Sequence, residues 1–257
     1  MKEKIIACAR SLGISDIGFT SYEGKTAIVC LFAYPSTPKP DANLSLYTYG
    51  KDYHAVIAEI LTSLGKQTLP DDFSVHADIG PSVDRHLARL AGLGFYGKNG
   101  MLIHPKLGSF FFIGWIHTSI SVSYDTPIEQ TCLGCNQCYK ACPGGALSEK
   151  GLDITRCASA ISQKKGELTW EEEAILIKSN LIFGCDRCQT VCPHNRDIQT
   201  TYLPDFTENQ IFRLSLAELS SMTNRTFSEK YKDRAFSWRG KGVLIRNLEI
   251  ISNEKKE

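Results

Sequence analysis

The sequence predicts an α/β (α+β) N-terminal domain followed by a small domain built on cysteine-bound metal clusters. Three observations predict it. Apolar residues at helical spacing alternate with strand-length apolar runs through the first half of the chain. Seven of the ten cysteines fall in two tight runs between residues 132 and 192. After the second run the chain turns polar until a short apolar stretch at 212–219 and a basic tail. These shifts divide the 257 residues into an α/β domain at 1–127, a cluster domain at 128–200 and a helical tail at 201–257.

The first cysteine run is Cys132-Leu-Gly-Cys135-Asn-Gln-Cys138-Tyr-Lys-Ala-Cys142-Pro143, the bacterial ferredoxin spacing C-x2-C-x2-C-x3-C-P. The second is Cys185-Asp-Arg-Cys188-Gln-Thr-Val-Cys192-Pro193, the same run with one cysteine missing. Zinc sites favour two separated C-x2-C pairs, which is not this pattern. The domain is therefore expected to be ferredoxin-like and to hold two [4Fe-4S] clusters. In the two-cluster scheme each run lends its last cysteine to the other run's cluster. One cluster then takes Cys132, Cys135, Cys138 and Cys192. The other takes Cys142, Cys185 and Cys188 and lacks a fourth thiolate. Cys157 is the only other cysteine near either run and is the candidate for that place.

Composition excludes several classes. Net charge is +1, so the chain as a whole is not a strongly basic nucleic-acid binder. No apolar run approaches the roughly 20 residues of a membrane span, so no membrane role is expected. The N-terminus is charged at Lys2, Glu3 and Lys4 and offers no apolar core for a signal peptide. Ten cysteines without an export signal point to metal ligation in a reducing compartment, the cytoplasm, rather than to disulfides.

Taken in order, Ile5, Ile6, Ala9 and Leu12 space a first helix that Gly13 stops, with Cys8 as a core thiol. Residues 25–34 (KTAIVCLFAY) form a buried strand, and Cys30 in its middle reads as packing. A Pro-rich loop at 35–45 leads to Asp52, which can cap a helix running from Tyr53 and His54 to about Leu64, with Gly65 as its stop. Residues 73–79 alternate like a strand, and Pro81 suits the start of the next helix. Asp78 thus stands at a strand end ahead of a helix, a place for catalysis or for capping alike. Gly92, Gly94, Gly97 and Gly100 then allow close backbone approach beside the Lys98 cation. Residues 101–103 and 109–121 read as strands joined in a hairpin across 105–108. Trp170, Ala174, Ile175, Ile177 and Leu181 supply the inner face of a helix between the cysteine runs, and the basic tail from Arg234 could touch phosphates or lie solvated.

Several of these segments, taken together, resemble the epoxyqueuosine reductases, cobalamin-dependent two-cluster enzymes of tRNA modification. They are YGKDYH (49–54), HADIGPSVDRHLARLAGLGFYGKNGMLI (76–103), GSFFFIG (108–114), FGCDRCQTVCPHN (183–195) and LIRNLEI (244–250). The resemblance implies that Asp78 is the catalytic proton donor. It implies cobalamin over the first domain, contacted by Tyr53, Val83, Arg85, Gly97, Lys98, Asn99, Leu102, Ile113 and Ile116. It also implies Cys157 as the remaining cluster ligand. The expected partners are tRNA and an external electron donor such as a flavodoxin or ferredoxin. Members of that family usually carry an extra segment before the first strand and C-terminal helical repeats that help bind tRNA, and neither is seen here. A compact corrinoid reductase of another substrate is therefore a second expectation. The cysteine runs by themselves also fit a two-cluster electron carrier without a corrin, or an RNA-binding module with structural clusters.

Overall fold

The computed structural model describes residues 1–78, 83–198 and 203–254. Two compact units form. The first comprises Met1–Pro35, Tyr53–Leu133 and His194–Thr207; the second comprises Ser36–Asp52, Gly134–Pro193 and Glu208–Glu257.

In the first unit, helix α1 (Lys2–Ser11) buries Ile5 and Ala9 completely. Gly13 ends it at φ 79, as its position in the sequence requires. Strands β1 (Asp16–Tyr22) and β2 (Lys25–Ala33) form a hairpin whose two turn residues, Glu23 and Gly24, both lie in the left-handed region. Such a turn matches the twist of the flanking strands. Helix α2 (Tyr53–Thr68), β3 (Phe73–His76), α3 (Asp84–Leu90), β4 (Phe95–Tyr96), β5 (Leu102–Ile103) and β6 (Phe111–Thr118) follow. The main sheet has four strands in the order β1-β2-β6-β3, every pair antiparallel.

Strand β2 is buried along both faces from Thr26 to Ala33, which explains its continuous apolar sequence. On one face, Ala27, Val29 and Leu31 pack with Leu87 and Ala88 of α3 and with Trp115 of β6. The other face carries α2. Cys30 is fully buried, a packing residue, and burial pushes its thiol well above the usual range.

Four local expectations are corrected. Gly65 does not stop its helix; α2 runs on to Thr68, because the glycine is there for close packing, and a Cβ would overlap the Phe73 ring. The strand at 73 ends at His76, short of Asp78; Ile79 and Pro81 lie outside the described residues. Leu102–Ile103 pairs with Phe95–Tyr96 and not with the strand at 111–118, since the chain between them closes on itself through paired His104 and Gly108 amides. Cys8 is only half-buried, and its thiol meets Gln67 Oε1 at 3.6 Å.

The second unit joins polar ties to an apolar core that includes Leu176, Ile182, Phe183, Leu219, Phe227, Phe236 and Leu244. Helices α4 (Gln137–Ala141), α5 (Ala158–Ser162), α6 (Trp170–Ser179) and α7 (Arg187–Thr190) are short. Thr169 and Glu172 cap α6 reciprocally. Its inner face is Ile175 and Leu176, whereas Trp170, in the first turn, is 76 % exposed. The basic tail forms a helix, Lys241–Glu254, that buries Val243, Leu244 and Leu248 on one side. Arg234 is buried and donates to the Tyr49 and Asn209 carbonyls. Asn247, on the helix Lys241–Glu254, donates to Ser162 O (2.7 Å) and Ile182 O (2.8 Å). Both side chains join backbone segments of this unit.

Replacing Gly65 by Ala should lower stability by up to about 2 kcal/mol. The helix-propensity gain of about 1 kcal/mol is outweighed by overpacking of about 1–3 kcal/mol against Phe73. Urea unfolding of the variant checks this, and a gain in stability would show that the contact does not govern the site.

Candidate cluster and active site

The cysteine loops fold around left-handed residues. Gly134 and Asn136, at φ 66 and 58, turn the chain into α4, which carries Cys138. Cys142 leaves α4 in an extended conformation ahead of Pro143. Asp153 accepts from the Thr155 N–H at 3.0 Å and shapes the turn that delivers Cys157 to the start of α5. Cys188 sits on α7, which packs against α4. Gly144 lies against the chain just before Cys157: Arg156 Nε donates to Gly144 O at 2.7 Å, and a Cβ on Gly144 would overlap the Arg156 carbonyl oxygen.

Four cysteines of this unit, from three separate segments, are linked by their electrostatics. Burial pushes the Cys188 thiol far above its ordinary range, and the neighbouring sulfurs of Cys185, Cys157 and Cys142 push it further. Cys185 is likewise pushed up to about 12, by burial first and by Asp186 and Cys157 next. Asp186, between them, is a buried carboxyl raised to about 7 by desolvation, with Oδ2 accepting the Leu46 N–H at 2.7 Å. The Ala146 N–H donates to Cys142 Sγ at 3.2 Å. Cys135, Cys138 and Cys192 belong to the same unit, and Cys132 lies in the last stretch of the first. No disulfide joins any of the ten cysteines. Among the described residues no three Cys, His, Asp or Glu side chains converge as a single metal ion requires. Thiols gathered from several loops, with N–H donors aimed at sulfur, suit a polynuclear cluster whose corners spread the ligands apart.

The second constellation lies in the first unit. Tyr53 opens α2, and its ring stacks on Phe112 at 4.1 Å and 5°, with His54 stacked on it at 4.0 Å. Tyr34 and Phe206 pack against Phe112 in turn. The Tyr53 hydroxyl donates to Asp78 Oδ2 at 2.5 Å, and His54 Nε2 stands 3.8 Å from the same oxygen. Asp78 holds φ 55, and its side chain is 62 % exposed. A rigid aromatic stack thus grips a carboxylate that faces outward. The sequence singled out both residues but not their bond.

Sequence reasoning missed a neighbouring network. The Trp115 indole N–H donates to Asp84 Oδ1 at 2.8 Å, and His76 stacks on the same indole at 4.0 Å and 12°. Asp84 is pushed above the usual carboxylate range, chiefly by burial, with the Asp78 charge adding to it and the indole bond opposing. His76 is pushed down, by burial first and by His117 next. The available signal was strand pairing: His76 and Trp115 are register partners on β3 and β6.

The remaining positions named from the sequence are spread over this unit. Arg85 NH1 donates to Gly100 O and ties α3 to the glycine loop. In that loop the Gly100 N–H donates to Gly97 O, and the buried Asn99 amide oxygen accepts the Met101 N–H. Lys98 is half-buried, and Val83 and Ile113 pack at the margin of the core. Leu102 and Ile116 are 2 % and 0 % exposed, so their side chains belong to the core and offer a ligand only backbone.

Comparison with known proteins agrees with this geometry. Residues 131–195 match the 4Fe-4S double cluster binding domain. The chain is 32 % identical over 311 aligned positions to an epoxyqueuosine reductase of Bacillus cereus, covering all of this chain and 81 % of that protein. It is 33 % identical to that of Bacillus subtilis, over 96 % of this chain and 77 % of that one. The 311 positions exceed the 257 residues present, so stretches within the relative's matched span have no counterpart here. Among solved structures, an epoxyqueuosine reductase from Bacillus subtilis superposes with TM-score 0.86 at 30 % identity, over 97 % of this chain and 80 % of that one. A second, solved with an epoxyqueuosine-modified tRNA stem loop, gives 0.85 at 30 % identity, with the same coverage.

Gly144→Ala should displace the Cys157 segment and leave the protein short of iron and acid-labile sulfide after anaerobic reconstitution. Wild-type metal content in that variant would show that the approach of Gly144 to Arg156 does not set the Cys157 position.

Proposed function

Since the chain belongs to the epoxyqueuosine reductase family, we propose that it reduces the epoxide of epoxyqueuosine in tRNA to the alkene of queuosine. Two electrons and two protons enter, and the epoxide oxygen leaves as water. The observation that carries this reading is the Tyr53–Asp78 hydrogen bond: an exposed acid held at one oxygen by a residue that is itself fixed by stacking. Asp78 places a proton at the epoxide oxygen as its carbon–oxygen bond breaks. Tyr53 orients the carboxyl so that its other oxygen faces the substrate.

Two [4Fe-4S] clusters fit the thiols: Cys132, Cys135, Cys138 and Cys192 would hold one, and Cys142, Cys157, Cys185 and Cys188 the other. The grouping of Cys142, Cys157, Cys185 and Cys188 supports the second set. A corrinoid fits the first unit. Lys98, in the loop at Gly97–Asn99, would supply a cation for its phosphate, and Tyr53, Val83 and Ile113 would supply apolar surface. Bound there, these groups supply single electrons and a strongly reducing metal centre. A low-potential one-electron carrier such as a flavodoxin or ferredoxin would load the clusters, in the reducing cytoplasm. No helix among the described residues is long and apolar enough to cross a membrane.

The test is turnover of an epoxyqueuosine-containing tRNA stem loop by the reconstituted, corrinoid-loaded protein under strong reductant. Asp78→Asn should slow it by at least about 100-fold with iron content unchanged; near wild-type turnover would remove Asp78 from the reaction. Cys157→Ala should cut iron from roughly eight to roughly four per chain, and undiminished iron would refute its place as a ligand.

A further inference from the structure

The proposed reaction, on which this inference rests, acts on one nucleotide within an RNA, and the rest of that RNA must be held as well. The second unit carries two exposed tryptophans, Trp170 and Trp238. Trp170 makes no side-chain hydrogen bond or ring contact among the described residues, whereas Trp238 is fixed by a hydrogen bond and a stacked cation.

The chain around Trp238 is anchored on both sides. The turn Ala235–Ser237 buries Ala235 and Phe236, and the Gly240 N–H donates to Ser237 O at 2.8 Å. Gly240, at φ 82, then leads into the helix Lys241–Glu254. The tryptophan held between these elements is 59 % exposed. Its indole N–H donates to Gln163 Oε1 at 3.2 Å, and the Arg239 guanidinium lies over its ring, 3.5 Å from the centroid. Gln163 is itself fixed, its amide donating to Ser159 O at 3.0 Å. One edge and one face of the indole are thereby occupied. No other ring packs on it among the described residues, and with more than half of the residue exposed the second face is open.

Uncommitted cations stand beside this ring. None of the five N–H donors of the Arg239 guanidinium has an acceptor among the described residues, and its Nε is shut off from water as well. A guanidinium without protein acceptors suits a phosphate, which can take two parallel N–H bonds. Gln163 is followed by an exposed loop, residues 164–166, in which the Lys164 carbonyl (2.8 Å) and the Gly166 carbonyl accept from Arg246. Lys165, exposed between those two bonds, has no hydrogen bond or ion pair from its side chain among the described residues. Lys164 is paired with Glu172 at 2.8 Å, and the charges of Glu172 and Glu173 act on Arg246. Arg239 and Lys165 are the two cations left to a ligand here.

We propose that Trp238 and Arg239 form a stacking site for one unpaired nucleotide of the RNA substrate, separate from the nucleotide that is reduced. The base lies on the open face of the indole. Arg239, on the opposite face, takes a flanking phosphate, and Lys165 adds to the local positive charge. Such a platform accepts any base, because every base has a π-face, and a ring already fixed in place loses little freedom on binding. The bland alternative is that the indole only covers the Gln163 loop. A covering role calls for apolar area alone and gives no preference for unpaired RNA.

The test uses the full chain with reconstituted clusters and a short fluorescently labelled oligouridylate, read by anisotropy. Trp238→Ala should weaken binding at least about fivefold, and Trp238→Phe, which keeps a π-face, should lose less. Arg239→Gln should weaken binding and reduce the slope of log affinity against log salt concentration by about 0.7, the share of one single-strand phosphate. A blunt RNA duplex, whose bases are already stacked, should bind the wild type and Trp238→Ala alike. Single-strand affinity unchanged in both Trp238→Ala and Arg239→Gln would overturn the proposal and leave the patch to a protein partner. Equal losses on duplex and single strand would overturn it too. Iron content should match the wild type throughout; should Trp238→Ala lose iron, Trp238→Phe and Arg239→Gln decide the matter. Oligouridylate binding through Trp238 by a protein that does not reduce epoxyqueuosine would defeat the functional reading alone. Turnover with binding indifferent to Trp238 and Arg239 would defeat this site alone.

Discussion

The sulfurs of Cys142, Cys157 and Cys185 all raise the cost of ionising Cys188, and the second unit is built around that constraint. Cys142, Cys157, Cys185 and Cys188 come from three stretches of chain, and burial with neighbouring sulfur raises the cost of charging Cys185 and Cys188. Everything that fixes those stretches is backbone-directed. Gly144 lies against Arg156, Asp153 shapes the turn before Cys157, and Asn247 bridges the Ser162 and Ile182 carbonyls. One apolar cluster of the unit is Ala158, Ile161 and Ile175, with Leu168 and Cys185 against it. Bound metal would turn mutual repulsion among the sulfurs into the main attraction of the unit, as in small metal-organised domains generally.

The first unit answers a different requirement. Its central strands, β2 and β6, are covered on both faces, while β3 is an edge strand. Asp78 follows the end of that edge with a left-handed backbone, so its carboxyl faces outward while Tyr53 keeps hold of it. Positive φ at a non-glycine residue costs free energy and is retained where surrounding contacts enforce it. The aromatic column of His54, Tyr53, Phe112 and Phe206 provides that enforcement at one end.

The sequence made the parts legible where spacing or local chemistry dictates structure. The cysteine runs announce their clusters, because a loop wrapped around a cubane admits few spacings. The run at 25–34 announces its strand, because only a strand covered on both faces is apolar without alternation. What stayed hidden depends on chain-distant contact. Gly65 reads as a helix stop until Phe73 is seen against it. The placement of Asp78 was reached through a rule for open parallel sheets, yet the sheet is antiparallel and the residue lies beyond the strand. The tail reads as phosphate-touching or solvated, and nothing in its spacing shows that Arg234 and Arg246 donate to chain-distant carbonyls. Asp84 carries no motif at all; its meaning comes from Trp115, thirty-one positions away.

We propose that these residues hold a corrinoid beside the acid Asp78, with two clusters to supply the corrinoid with electrons. The most direct measurement is the electron paramagnetic resonance spectrum of cob(II)alamin added anaerobically to the reconstituted protein. The account requires a protein-bound signal that has lost the splitting from the dimethylbenzimidazole nitrogen. A spectrum identical to that of free cob(II)alamin would contradict it and leave a two-cluster electron carrier in its place.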